Sequence, residues 1–129
     1  MRYLKPYKLF ENSHEEMMDV HFGVDVIIEC DSIIADIKDM VLELSDIGLF
    51  TMVGYTPMTL TYSDKTPKIM VEVQGDSLLC SYNEDDIDSA FERIREYTSS
   101  KGYVTGFGTW EREAGNGKNI SVYQMLIQK

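Results

Sequence analysis

The sequence predicts an α+β fold: a two-layer sandwich in which an antiparallel sheet of about four strands carries two helices on one face. Two stretches have apolar residues at helical spacing, and each ends at a glycine, Gly48 or Gly102. β-rich sequence follows each of them. The order helix, strand, strand, then helix, strand, strand predicts two αββ units that share one sheet.

We expect residues 1–129 to form one α+β domain, because a chain of 129 residues can bury a core of its own. Residues 1–12 form a possible arm without a clear period. The structure of residues 13–24 is left open, although Ser13 and Glu16 have capping-box spacing.

The first helix is centred on residues 32–48, where one face is apolar. The apolar positions are Ile33, Ile37, Met40, Val41, Leu44 and Ile47. Upstream, residues 24–29 are rich in β-branched side chains and could be a strand. A strand here would favour a ferredoxin-like βαββαβ sheet instead. Phe22, Val26 and Cys30 nevertheless continue the helical spacing, so we predict helix over most of residues 25–47.

After Gly48 the sequence favours strands over residues 49–55, 58–63 and 68–74, with residues 77–82 a short strand or an extended link. A second helix is predicted over residues 83–101.

Asn83 is a good N-cap for this second helix, and Gly102 follows its end. Residues 103–113 and 119–128 then read as two strands joined by a glycine-rich hairpin loop. An offset of 54 positions aligns the two helices, with Ile33 on Ile87 and Ile37 on Phe91, which suggests two similar halves.

The formal net charge of −10 is unevenly distributed along the chain. Residues 11–46 hold eleven acids and one base, whereas residues 1–10 carry three bases and no acid. Such a field disfavours direct binding to nucleic acid. An acidic helix face is typical of a solvated surface, but it could also attract a basic partner.

No metal, cofactor or catalytic residue is predicted. His14 and His21 lie seven positions apart near carboxylates, but this spacing is more typical of exposed polar residues than of a metal site. Cys30 and Cys80 are expected to be buried free thiols, and a disulfide between them would need their backbones to lie close together. No apolar run reaches the ~20 residues that span a bilayer, and we expect a cytoplasmic protein.

The start of the chain and part of the first helix carry a pattern of their own. It consists of Met1, Arg2, Tyr3, Leu4 and Lys5, then Leu9, Phe10 and Glu11, and later the runs 36–39, 42–44 and 46–48. In these residues the chain resembles small uncharacterised proteins of tailed phages. The resemblance implies a host cytoplasm as location and no assigned activity.

The main hypothesis for function is a small non-enzymatic binding or accessory protein that acts through a sheet face or edge and self-associates. Its partner would be a second copy or a host protein. Strand residues that two helices cannot all cover are candidates for this surface: Tyr55, Met58, Tyr62, Phe107, Trp110 and Tyr123.

Two alternatives remain. One is an acidic inhibitor that mimics nucleic acid and blocks a host protein through the first helix, with the carboxylates Asp31, Asp36, Asp39, Glu43 and Asp46. The other is a small-ligand-binding protein or hydrolase with a pocket between helices and sheet.

Overall fold

Two long helices, one short helix and four strands make up the fold in a computed structural model that describes residues 22–56, 67–75, 82–115 and 118–129. The elements are α1 (Val24–Met40), α2 (Leu42–Asp46), β1 (Phe50–Tyr55), β2 (Ile69–Gly75), α3 (Glu84–Ser100), β3 (Val104–Ala114) and β4 (Lys118–Gln128). The predicted arm over residues 1–12, residues 13–21 and the predicted strand over residues 58–63 lie outside the described residues. So does most of the predicted segment 77–82.

The four strands form one antiparallel sheet in the order β1-β2-β4-β3. Each αββ unit contributes a pair of neighbouring strands, and the two pairs meet where β2 pairs with β4. The helices pack on one face of this sheet, so the α+β sandwich with αββ-αββ order is confirmed.

Residues 24–29 are helical, and the ferredoxin-like alternative is therefore wrong. The helical spacing decides the conformation, because Cys30, Ile33 and Ile37 point into the core while Ile28 is 62% exposed on the opposite side. The predicted single helix over residues 25–47 is interrupted at Val41, whose φ and ψ of −96° and 0° separate α1 from α2.

Both helical stretches end in the same way, as the two glycines predicted. Gly48 has φ of +98° and Gly102 has φ of +88°, a backbone region that favours glycine. The next residue donates its amide hydrogen back to the last turn: Leu49 N–H to the Leu44 carbonyl at 3.1 Å and Tyr103 N–H to the Thr98 carbonyl at 3.0 Å. These are Schellman caps, which satisfy carbonyls that the helix end leaves unpaired.

The start of α3 is capped as predicted. The Asn83 side chain accepts a hydrogen bond from the Asp85 amide at 3.0 Å. Glu84, Asp85 and Asp86 fill the first turn, where negative charge is favourable against the helix dipole.

The core lies between the helices and the sheet. Its fully buried aliphatic side chains come from all three helices and the two central strands: Ile33, Ile37, Leu44, Ile69, Val71, Val73, Ile87, Ile94 and Ile127. Thr98 is the polar residue buried among them, and its hydroxyl donates to the Ile94 carbonyl at 2.8 Å. The aromatic side chains of Phe91, Tyr103 and Tyr123 complete this core.

The two halves correspond in the pairing of their central strands. At the offset of 54 positions, Val71 corresponds to Met125, and these two residues are partners in the β2–β4 register. The buried residues Ile33 and Ile37 correspond in the same way to the buried residues Ile87 and Phe91. The similarity of the halves that the sequence suggests therefore extends to the pairing of the central strands.

Candidate functional site on the sheet

Alternate residues of the four strands form the face of the sheet opposite the helices, called the helix-free face because no helix of the described residues lies on it. Three rows cross this face in the order of the strands: Phe50–Gln74–Val122–Trp110, Met52–Glu72–Gln124–Gly108 and Gly54–Met70–Leu126–Gly106. Aromatic side chains stand at both edges of the first row. Glycine stands at both edges of the third row and leaves Met70 and Leu126 without side-chain neighbours on the edge strands.

Most of the large exposed apolar side chains of the sheet belong to this face. Phe50 is 57% exposed, Trp110 44%, and Met52 and Leu126 40% each. Val104, at the start of β3, is also on this face and is exposed. Single exposed apolar residues are normal on a protein surface, but several on one face indicate an interaction surface.

A hydrogen-bonded chain of side chains crosses the same face. Arg112 on β3 donates from Nη2 to Gln74 Oε1 on β2 at 3.0 Å, and Gln74 Nε2 donates to Glu72 Oε2 at 2.8 Å. Val122 lies on β4 between Gln74 and Trp110 and is 1% exposed. This polar chain therefore lies beside the buried side chain of Val122. It ends in the positive charge of Arg112 and the negative charge of Glu72.

Among the described residues β3 is an edge strand, and Phe107 lies on its helix side. The Phe107 ring packs edge-on against Phe91 of α3, with ring centres 5.5 Å apart, and yet remains 56% exposed. A groove of about 310 Å³ runs here between α3 and β3, with Phe91, Phe107 and Met125 among its apolar lining and Asp88 and Arg95 at its rim. The helices therefore leave the helix side of the sheet uncovered near β3.

Of the other strand residues predicted as surface, Tyr55 and Tyr123 lie on the helix side. Tyr55 donates a hydrogen bond to Asp31 of α1 at 2.5 Å, and Tyr123 donates to Glu84 of α3 at 2.8 Å. These two tyrosines connect helices to the sheet and do not join Trp110 on the helix-free face. Met58 and Tyr62 lie outside the described residues.

The sequence reasoning missed Phe50, Met52, Val104 and Leu126. A signal for Leu126 was present, since Gln124, Leu126 and Gln128 alternate with the buried Met125 and Ile127. Alternation alone assigns such a residue to the face opposite the core, but it does not say whether a partner covers that face.

The five acids predicted as a candidate surface are all exposed on α1 and α2. Three of them have partners within the chain: Asp31 accepts from Tyr55, Asp36 accepts from Tyr97, and Glu43 forms an ion pair with Arg93. Those contacts connect α1 and α2 to β1 and α3. Three of the five acids therefore contact other elements of the fold.

Cys30 is a free, fully buried thiol at the end of a small polar cluster. Its sulfur is 3.7 Å from the Tyr103 hydroxyl, which also donates to Glu29 Oε1 at 3.3 Å. Burial raises the pKa of the Cys30 thiol, which keeps it protonated and unreactive. Cys80 lies outside the described residues.

No group of three or more metal-ligating side chains occurs in the part of the chain that the structure describes. His14 and His21 are not in that part. Among the described residues, no buried side-chain nitrogen or oxygen lacks a hydrogen-bond partner.

None of the helices within the described ranges is both long and apolar enough to cross a membrane.

Comparison with known proteins gives no match among family models, curated proteins or solved structures. The resemblance to tailed-phage proteins therefore stays a prediction, and function must be inferred from the surface itself.

Tyr97→Phe should make the stability of the protein less sensitive to alkaline pH. Burial, followed by the hydrogen bond to Asp36, raises the pKa of Tyr97 to about 12 from an ordinary value near 10. The folded state therefore holds this proton more tightly than the unfolded state, so stability falls as pH rises between these two values. Urea unfolding measured from neutral to alkaline pH should show a shallower fall for the variant.

The matched control is Asp39→Asn, which changes an exposed acid on the same helix as Asp36. We expect the control to keep the alkaline slope of the wild type. Identical slopes for Tyr97→Phe and the wild type would contradict the assigned role of this tyrosine.

Proposed function

We propose that this protein is a non-enzymatic binding protein that self-associates through the part of its sheet that the helices leave uncovered. The observation that carries this proposal is the concentration of exposed apolar side chains on the helix-free face and along β3. They are Phe50, Met52, Val104, Phe107, Trp110 and Leu126. An antiparallel sheet with helices on one face leaves the other face available to water or to a partner.

The distribution of charge favours the sheet as the surface through which two copies meet. Each chain carries a formal charge of −10, so two copies repel each other in most orientations. The helices bear many of the acids, whereas Glu72 and Arg112 offset each other on the helix-free face. Two copies therefore meet with the least repulsion through the sheet.

The fully buried free thiol of Cys30 supports a reducing compartment, as in a cytoplasm. The hypotheses of an acidic inhibitor and of a ligand pocket between helices and sheet stay predictions, and no contact described above favours either of them over self-association.

Size-exclusion chromatography with light scattering over a broad concentration range tests the proposal. At high concentration we expect a mass of twice the 14.8 kDa of one chain. Trp110→Lys should raise the dissociation constant of the dimer about tenfold or more, which corresponds to a loss of roughly 1.4 kcal/mol of binding free energy. Trp110 belongs both to the helix-free face and to β3, so this variant tests the whole uncovered surface.

Ile28→Lys is the control, because Ile28 is also exposed but lies on α1, away from the sheet surface. We expect it to leave the dimer unchanged. A wild-type chain that remains monomeric at every concentration would overturn the proposal, as would an equal effect of the two lysine substitutions.

A further inference from the structure

We propose that the second copy adds to the free edge of β3, antiparallel to it and centred on Phe107, so that two four-stranded sheets become one eight-stranded sheet. This inference rests on the proposed self-association and specifies which part of the sheet forms the contact. The partner is a second copy of this chain, related to the first by a two-fold axis through Phe107.

The outer edge of β3 is open. Within the part of the chain that the structure describes, β3 pairs with β4 on one side and with no strand on the other. Natural proteins usually protect such an edge with proline, charged residues or a bulge. The seven residues 104–110 contain no proline and no charge, and their register with β4 runs without a bulge. An extended strand can therefore pair with this edge.

The sequence of this edge is self-complementary for antiparallel pairing. Residues 105–109 read Thr-Gly-Phe-Gly-Thr, the same in both directions. When two such strands pair around Phe107, each threonine faces a threonine and each glycine faces a glycine. A two-fold contact uses the same surface of both copies, so a palindromic strand matches its own copy at every position.

Just outside the palindrome, the register pairs Val104 of one copy with Trp110 of the other. Both side chains are on the helix-free face, where Val104 is 66% exposed. A β-branched residue opposite an aromatic residue is a favourable cross-strand pair. On the helix side, the two Phe107 rings meet beside the groove that leaves each of them exposed.

The pairing between the two copies covers Val104 to Trp110. β3 begins at Val104, and Lys101 caps the end of α3, so the register does not continue past Val104. The charged residues Glu111, Arg112 and Glu113 follow the uncharged stretch and lie outside the pairing. The self-complementarity of residues 105–109 favours a second copy over an unrelated peptide.

Cysteine cross-linking under mild oxidation tests the register, with Cys80→Ser as the background because Cys30 is fully buried. Phe107→Cys should give a disulfide-linked dimer, since residues directly opposite in an antiparallel pair lie within disulfide range. Thr105→Cys and Thr109→Cys should not cross-link on their own, because each lies roughly 13 Å from its own copy. A mixture of these two variants should cross-link.

Ile28→Cys reports random collisions, because Ile28 is at least as exposed as Phe107. Gly54→Lys separates the edge from the face, because it adds a charge to the helix-free face on β1, the strand farthest from β3, where a β-carbon meets no atom within 4 Å. Light scattering should find its dimer unchanged. A wild-type dimer that Gly54→Lys disrupts, or that lacks the Phe107→Cys cross-link, would overturn the edge contact and leave the proposed self-association standing. A wild-type monomer would overturn both.

Discussion

Replacing Ile37 by alanine should lower the free energy of unfolding by about 2–5 kcal/mol, the range for truncating a large aliphatic side chain in a packed core. Ile37 is 0% exposed and lies in the core that α1 forms with α3 and the sheet. The loss is a large part of the roughly 5–15 kcal/mol that stabilises a typical domain. Urea unfolding followed by circular dichroism measures it.

Ile28→Ala makes the same chemical change on the exposed side of the same helix. Because Ile28 is 62% exposed, we expect its effect to stay within about 0.5 kcal/mol. Similar losses for the two variants would contradict the assignment of the buried face of α1.

Gly75→Ala should destabilise the protein by about 1–3 kcal/mol, the range for forcing extra atoms into a packed site. A β-carbon at Gly75 would lie 2.6 Å from two ring carbons of Tyr82 and 2.9 Å from Leu49 Cδ2. The Tyr82 ring packs against the core, so the end of β2 or the start of α3 would have to shift. The midpoint and slope of urea unfolding give this change.

Gly54→Ala is the opposite case in the neighbouring strand. A β-carbon there would meet no atom within 4 Å, so alanine should be neutral or gain about 0.5 kcal/mol by restricting the unfolded chain. If Gly75→Ala were as well tolerated as Gly54→Ala, the close packing of Tyr82 over β2 would be wrong.

The sequence predicted those features of the fold that local chemistry decides. Gly48 and Gly102 marked both helix ends because a Schellman cap needs a positive φ, and Asn83 marked a helix start because its side chain binds a free amide. The order of helices and strands then followed from the change in apolar period. These signals are contained in a few neighbouring residues.

Two features of α1 could not be predicted from the local sequence. Residues 24–29 have β-branched side chains that also suit a strand, and packing against the core selects the helix. No glycine or proline in the sequence marks the break at Val41. Both depend on contacts between distant parts of the chain.

The candidate surface predicted from the sequence includes Trp110 and Phe107, which are exposed, and Tyr55 and Tyr123, which hydrogen-bond to carboxylates of the helices. Alternation alone cannot distinguish these cases, since either face of a strand can carry an aromatic residue. The strand order was needed to show that the palindrome of residues 105–109 lies at an edge of the described sheet.

The junction between β2 and β4 has a consequence for folding. Each hairpin brings together residues that are near in sequence, whereas the β2–β4 ladder joins residues about fifty positions apart. Closing a longer loop loses more chain entropy, so distant pairing slows folding. The pairing of β2 with β4, which brings Val71 opposite Met125, should therefore limit the folding rate.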